Sequence, residues 1–398
     1  SYKASEEKNM KTNFDFLSPS VNFFGPGVIE KIGERAKMLN MNHPLIVTDK
    51  FLEGVVDGPV AQTLASLDKA GVTYTIYDGV EPNPKIHNIQ TAKELYLAEN
   101  CDSIITVGGG SAHDTGKGTG IILTNGEDIT QLAGIETLKN PLPPLMAVNT
   151  TAGTGSELTR HCVITNQETH LKFVVVSWRN IPLVSFNDPL LMLDVPAKLT
   201  AATGMDAFVQ AIEPYVSTNR NELTDGMCIQ AIKLIEGSLR EAVANGHNVE
   251  ARTKMVEAEM LAGMAFNNAD LGYVHAMAHQ LGGQYDAPHG VCCALLLPIV
   301  EKYNIIAAPE RFAELAKIMG ENTEGLSTRD AAELAIKAMR QMADDVGIPR
   351  SIKDIGAKPE DFPLMAENAL KDGNAFSNPR KGTKEELIQL FQEAYDQE

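Results

Sequence analysis

Over its first half the chain alternates short β-branched runs with amphipathic stretches. Residues 45–48, 72–77, 103–107 and 145–148 are short, largely β-branched and apolar runs of strand length, and 60–70 carries apolar residues at three- and four-residue spacing. Buried strands separated by helices predict a parallel sheet with helices on both faces. Runs at 162–165, 171–177 and 183–186 predict extra strands near the sheet edge. Past Pro196 the period changes. Residues 200–217, 222–244, 250–266, 291–303, 309–319, 328–346 and 384–395 repeat their apolar positions every three or four residues, and no strand pattern is found among them. The pattern predicts two domains, an α/β unit at 1–196 and an all-helical unit at 197–398, divided in the segment from Asp188-Pro189 to Pro196. No internal repeat or low-complexity tract interrupts either.

Composition narrows the class. With 398 residues, 43% of them hydrophobic, the chain is long enough for a large buried core. Its formal net charge of −18 repels a phosphate backbone, which argues against a nucleic-acid partner. Five cysteines without a CxxC pair read as reduced thiols, which points to the cytoplasm. The start, 1–16, is polar and carries Lys3, Lys8 and Lys11, unlike a leader or anchor; Met10 reads as a native start with 1–9 added ahead of it. No stretch approaches the ~20 apolar residues of a membrane span.

Two glycine turns carry candidate chemistry. Val107-Gly108-Gly109-Gly110-Ser111 lies between a strand and a helix start that contains Asp114 and Lys117. Glycines there let backbone N–H groups approach a pyrophosphate at a helix N-terminus. The turn is neither G-x-G-x-x-G, because of His113, nor a P-loop, because Gly118 follows Lys117; a plain glycine turn is the competing reading. Asp49, at the end of the 45–48 strand, stands where a carboxylate accepts from ribose hydroxyls and repels a 2′-phosphate, favouring NAD over NADP; a helix N-cap is the alternative. A further turn, from Thr150, Thr151 and Thr154 to Glu157, offers hydroxyls and exposed amides able to close over a cofactor.

Histidines and a carboxylate form the second constellation. His275 and His279 are one helical turn apart and share a face, and His289 follows ten residues later. Upstream, Asp206 stands near a helix start, with Gln210 one turn on. One Asp with several His suits a borderline divalent ion such as Fe²⁺ or Zn²⁺. The bland alternative is a helix-terminal charge beside satisfied core histidines. Cys292 and Cys293, in an apolar helix, read as buried packing.

At these residues the sequence resembles the iron-containing, group III alcohol dehydrogenases, on the branch of the 1,3-propanediol dehydrogenases and near the bacterial NAD-dependent methanol dehydrogenases. The match runs from Val21-Asn22-Phe23-Phe24-Gly25 to Asn378-Pro379-Arg380, and its most specific pieces are the Gly108 to Lys117 turn, the Thr150 to Glu157 turn, Phe266-Asn267-Asn268 and the His275 to Gly290 segment. The resemblance implies a dehydroquinate synthase-like fold: a dinucleotide-binding α/β domain, a helical metal-binding domain and an active site between them. It implies NAD contacts at Asp49, Asn83, Gly109, Gly110, Ser111, Thr150, Thr151, Thr154, Lys172 and Leu190. It also implies metal ligands at Asp206, His275 and His289, and an active-site histidine beside the substrate at His279. The family's fourth ligand is a histidine in Asp-x-x-x-His, whereas this chain has Gln210, a weaker donor. A weak working site, an altered metal preference and a silent site are the three outcomes left open, with His279 as a partial substitute.

The implied chemistry is a metal-assisted hydride transfer between a short primary alcohol or diol and its aldehyde, with the cation polarising the alcohol oxygen, NAD taking the hydride and His279 relaying the proton. The expected assembly is a homo-oligomer, from dimer to decamer, with no membrane partner. Two other classes stand against this: an NAD- and metal-dependent lyase of the dehydroquinate synthase type, and an NAD-binding assembly protein whose catalysis has lapsed through Gln210.

Overall fold

The computed structural model describes residues 14–18 and 21–397; most of the polar start, Met10 included, lies outside them. Nine strands are present among the described residues: β1 (Val21–Phe24), β2 (Pro44–Val47), β3 (Thr75–Tyr77), β4 (Ser103–Gly108), β5 (Gly134–Ile135), β6 (Leu145–Asn149), β7 (His161–Asn166), β8 (Leu171–Val176) and β9 (Val184–Asn187). In the first half they are joined by α1 (Ile32–Met38), α2 (Lys50–Glu53), α3 (Pro59–Ala70), α4 (Ile86–Ala98) and α5 (Gly110–Thr124).

Six of the strands form one all-parallel sheet in the order β1-β9-β6-β4-β2-β3. Its inner strands, such as Pro44–Val47 and Ser103–Gly108, are buried along their whole length, as a sheet with both faces covered requires. From β2 the chain runs one way to β3 and the other way to β4, β6 and β9. The order therefore reverses between β2 and β4, and the carboxyl ends of these two strands flank the crevice where such sheets bind ligands.

Two strand expectations are corrected and one is met. The 162–165 and 171–177 runs leave the main sheet and pair with each other as the antiparallel β7–β8 hairpin, extended by β5. The 183–186 run forms β9, which lies near the edge of the main sheet as expected, with only the N-terminal β1 beyond it. The 72–77 run shortens to Thr75–Tyr77, since Gly71 ends α3 in the left-handed conformation at φ 72° and Val72 belongs to that helix stop.

Past Pro196 the described residues hold no strand. The helices are α6 (Ala197–Val216), α7 (Glu222–Glu236), α8 (Leu239–Ala244), α9 (Val249–Ala269), α10 (Tyr273–Tyr285), α11 (His289–Asn304), α12 (Pro309–Ile318), α13 (Thr328–Asp345), α14 (Phe362–Lys371) and α15 (Lys384–Tyr395). The single helix expected at 222–244 breaks into two at Gly237-Ser238, while α14 escaped the periodicity reading. Phe208, Ile212, Leu295, Leu296, Met339 and Met342 are among the fully buried side chains of one continuous core shared by α6, α11 and α13. One stretch, His289–Ala307, has the length and hydropathy to cross a membrane, which corrects the expectation that none comes near. It is 67% buried inside the molecule and packs against α6, α10, α13 and α15, as a core helix does.

Candidate active site and metal centre

The glycine turn sits at the sheet's switch point. Gly108 ends β4 at φ 153°, a conformation open to glycine, and Gly109 caps α5. A Cβ on Gly109 would stand 2.7 Å from the Thr151 hydroxyl, and one on Gly110 would meet the Thr154 side chain at 2.7 Å. The two glycines therefore let the first turn lie directly against the second. Thr150 N–H donates to the Gly108 carbonyl at 3.0 Å and ties them together.

That second turn is anchored from the helical half. Glu259 on α9, fully buried, accepts from Gly153 N–H at 2.8 Å and Gly155 N–H at 3.0 Å through Oε1, and from Asn149 Nδ2 at 2.8 Å through Oε2. These two amides are thus not exposed, contrary to expectation; they are committed to a carboxylate that the sequence pattern gave no reason to single out.

The predicted cofactor residues divide by position. Asn83, Gly110, Ser111, Asp114, Thr154 and Lys172 line one cavity of about 630 Å³, which His275, His279, His289 and Gln210 close from the helical side. Asn83 Oδ1 accepts from the Lys172 ammonium at 2.7 Å, and burial lowers the pKa of that amine. Asp49 caps α2, accepting from Leu52 N–H at 2.9 Å; it still stands at the carboxyl edge of β2, beside the glycine turn. Leu190 is largely exposed and follows Asp188, which caps its short 3-10 turn. Lys117 faces away from the cavity. Its ammonium is buried and donates to Ser156 Oγ and the carbonyls of Thr159 and His161 at 2.8–3.0 Å, so it braces the turn from behind. Asp114 is similarly engaged, accepting from Ser156 Oγ at 2.7 Å and Val163 N–H at 3.2 Å.

Asp206, Gln210 and Glu213 lie on one face of α6 at helical spacing, all buried. Asp206 Oδ1 stands 3.4 Å from His275 Nε2 and 3.5 Å from His289 Nε2. Asp206 Oδ1, His275 Nε2 and Gln210 Oε1 are buried with no hydrogen-bond partner. Asp206 Oδ1 and His275 Nε2 face each other, and orphaned buried polar atoms so placed are costly unless an ion satisfies them. The donor set of carboxylate, imidazole and amide oxygen fits a borderline divalent cation.

The orientations of these side chains are fixed by groups that sequence reasoning missed. Glu213 accepts from His275 Nδ1 at 2.5 Å and, with its other oxygen, from Val274 N–H at 2.7 Å. It sets the tautomer that leaves Nε2 toward Asp206 and caps α10 at once. Its position seven residues after Asp206 was the available signal. Asp372, far away in sequence, accepts from His279 Nδ1 at 2.7 Å, and no spacing announces it. Burial opposes protonation of His275, yet Cys293, Glu213 and Asp206 outweigh it and hold the pKa well above the usual range, so this nest calls for positive charge. Burial keeps His289 and His161 neutral. His161, also missed, lines the cavity with its ring 5.3 Å from Phe266.

A glycine cradle at the switch point of a parallel sheet faces, across one cavity, a buried carboxylate–imidazole nest; the arrangement is that of a metal-assisted nicotinamide dehydrogenase. Comparison with known proteins makes the class specific. Residues 19–189 match the iron-containing alcohol dehydrogenase model and residues 200–395 match the C-terminal model of the Fe-containing alcohol dehydrogenase family. The chain is 60% identical to the 1,3-propanediol dehydrogenase of Citrobacter freundii, covering 96% of this chain and 99% of that one. It is 40% identical to the NAD-dependent methanol dehydrogenase of Bacillus methanolicus, again over 96% and 99%. The solved alcohol dehydrogenase from Oenococcus oeni superposes with a TM-score of 0.94 at 82% identity, covering 96% of this chain and all of that one. The chain belongs to the iron-containing alcohol dehydrogenase family. It is an oxidoreductase that interconverts alcohol and aldehyde with NAD and a divalent metal, and the lyase reading falls.

Proposed function

We propose that the chain interconverts a short primary alcohol or diol with its aldehyde, 1,3-propanediol first and methanol, ethanol and butanol after it. The observation that carries this reading is the trio of orphaned atoms, Asp206 Oδ1, His275 Nε2 and Gln210 Oε1, on residues of which His275 and Gln210 line the cavity that Gly110 and Ser111 also line, with Asp206 buried behind them. The unit 1–196 holds NAD, with Asp49 at the ribose, Gly109, Gly110 and Ser111 at the pyrophosphate, and Asn83, Thr150, Thr151, Thr154, Lys172 and Leu190 around it. Asp114 and Lys117 support that cradle from beneath. The unit 197–398 holds the cation through Asp206, His275 and His289, with the Gln210 amide oxygen beside them.

When bound, the cation polarises the alcohol oxygen and the nicotinamide accepts a hydride. The chain's own residues do the rest. His279, its Nδ1 held by Asp372, keeps the other ring nitrogen available to take up the alcohol proton and pass it outward. Phe266 and the half-buried ring of His161 form a wall of the cavity that limits water. The cavity admits a small substrate in a fixed pose against the cradle.

The 60% identity to a 1,3-propanediol dehydrogenase supports the diol. Five free, buried cysteines support a cytoplasmic setting, and a homo-oligomer, from dimer to decamer, is the assembly that goes with the family resemblance. The test is metal analysis of the purified protein together with NAD reduction across short alcohols. Near-stoichiometric metal with the highest kcat/KM on 1,3-propanediol is expected. NAD binding without turnover of any alcohol at any metal supplement would mean catalysis has lapsed.

A further inference from the structure

A fourth atom stands in the cation nest. Cys293 is one turn beyond His289 on α11, on the same face, and its Sγ lies 3.7 Å from His289 Nε2. Donor atoms of Asp206, His275, His289 and Cys293 all lie within 4.8 Å of one another. We propose that the Cys293 thiolate is the fourth protein ligand of the cation, standing in for the imidazole that position 210 lacks. The inference rests on the reading of this nest as a cation site.

Three of the six donor separations match the edges of a coordination polyhedron, and all six lie within 4.8 Å. With metal–nitrogen and metal–oxygen bonds of about 2.0–2.2 Å and a metal–sulfur bond of about 2.3 Å, tetrahedral geometry sets N···O edges near ~3.4 Å and N···S edges near ~3.6 Å. The edges found are 3.4 and 3.5 Å from Asp206 Oδ1 to the two imidazoles, and 3.7 Å from His289 to Cys293. The N···O edges are long for hydrogen bonds and right for ligands sharing an ion.

Position separates the two contenders for the fourth place. Gln210 lines the cavity, and its Nε2 donates to the Thr154 carbonyl at 3.3 Å, which ties the amide to the cofactor turn. Asp206 and Cys293 are buried and do not line the cavity. Carboxylate and thiolate thus approach from behind, and the face toward the cavity stays available to an alcohol as a fifth ligand, an expansion that catalytic zinc sites show. Binding breaks the S–H bond, forms the metal–sulfur bond and releases the thiol proton to solvent. A thiolate in place of an imidazole biases the site toward Zn²⁺ and Co²⁺ over Mg²⁺ and Mn²⁺.

The full chain, stripped with a chelator and reloaded with Co²⁺, gives a readout independent of activity. A near-ultraviolet thiolate-to-cobalt charge-transfer band is expected, retained in Cys292→Ser and lost in Cys293→Ser, whose Zn²⁺ affinity falls at least about tenfold. X-ray absorption of the zinc-loaded wild type, which needs no variant, is expected to show one sulfur at about 2.3 Å. Bound cobalt without the band, a band that persists in Cys293→Ser, or a zinc shell of nitrogen and oxygen alone overturns the proposal and leaves the metal site standing. Failure to bind either ion overturns both.

Discussion

Glu213 illustrates how much of this site rests on single side chains. One carboxylate caps α10 at Val274 and orients His275 at 2.5 Å. Glu213→Gln keeps the volume but loses the charge that aligns the ring. Metal affinity is expected to fall by about 10- to 100-fold, read by competition with a chromophoric chelator; unchanged affinity would mean the ring is held by packing alone. Glu301 on α11 makes a second residue-scale prediction. Burial, with the Glu213 charge adding to it and Asn304 opposing, pushes its carboxyl up from 4.5 to about 8. The folded chain therefore keeps a proton that the unfolded chain releases above pH 4.5, so stability falls as pH rises through that window, by up to about 1.4 kcal/mol per pH unit. Glu301→Gln removes this loss. Denaturant unfolding should show the variant gaining on the wild type between pH 5 and 8, whereas a constant difference would contradict the assignment. At this scale the candidate residues Asp206, His275 and His289 were legible as a cluster from residue type and from the one-turn spacing of His275 and His279, with the family resemblance supplying the role. Asp372 and Glu259 were not, since each meets its partner only after chain segments far apart have folded together.

At the scale of elements, the site depends on how closely α11 approaches α6. Gly290, next to His289, would place a Cβ only 2.0 Å from the Ala202 carbonyl oxygen. No rearrangement of a flexible side chain relieves a clash with backbone. Gly290→Ala is expected to push the helices apart, cost about 1–3 kcal/mol and weaken metal binding together with stability, measured by thermal unfolding with and without Zn²⁺. Full metal affinity in a destabilised Gly290→Ala would show that His289 tolerates the shift. The periodicity reading found this helix and most others because their apolar faces bury against one core. It merged α7 with α8, since apolar spacing continues through Gly237-Ser238 while the backbone turns there.

Taken as one molecule, the enzyme joins its halves with polar links that ring the cavity. Glu259 reaches from α9 to the glycine turn, Arg160 donates to Asp270 at 3.0 Å, and Asn83 donates to Asp286 at 2.7 Å. These bonds hold the sheet's switch point against the Asp206 nest, a relation that follows from the alternation of strand and helix along the chain only once the sheet order is known. In the proposed function a cation on Asp206, His275 and His289 faces the nicotinamide end of NAD bound at the Gly109-Gly110-Ser111 turn. Proton relaxation of NAD bound to the Co²⁺-loaded protein tests it most directly: the paramagnetic ion should relax the nicotinamide protons far more than those of adenine. Equal relaxation at both ends, or a stronger effect at adenine, would contradict it.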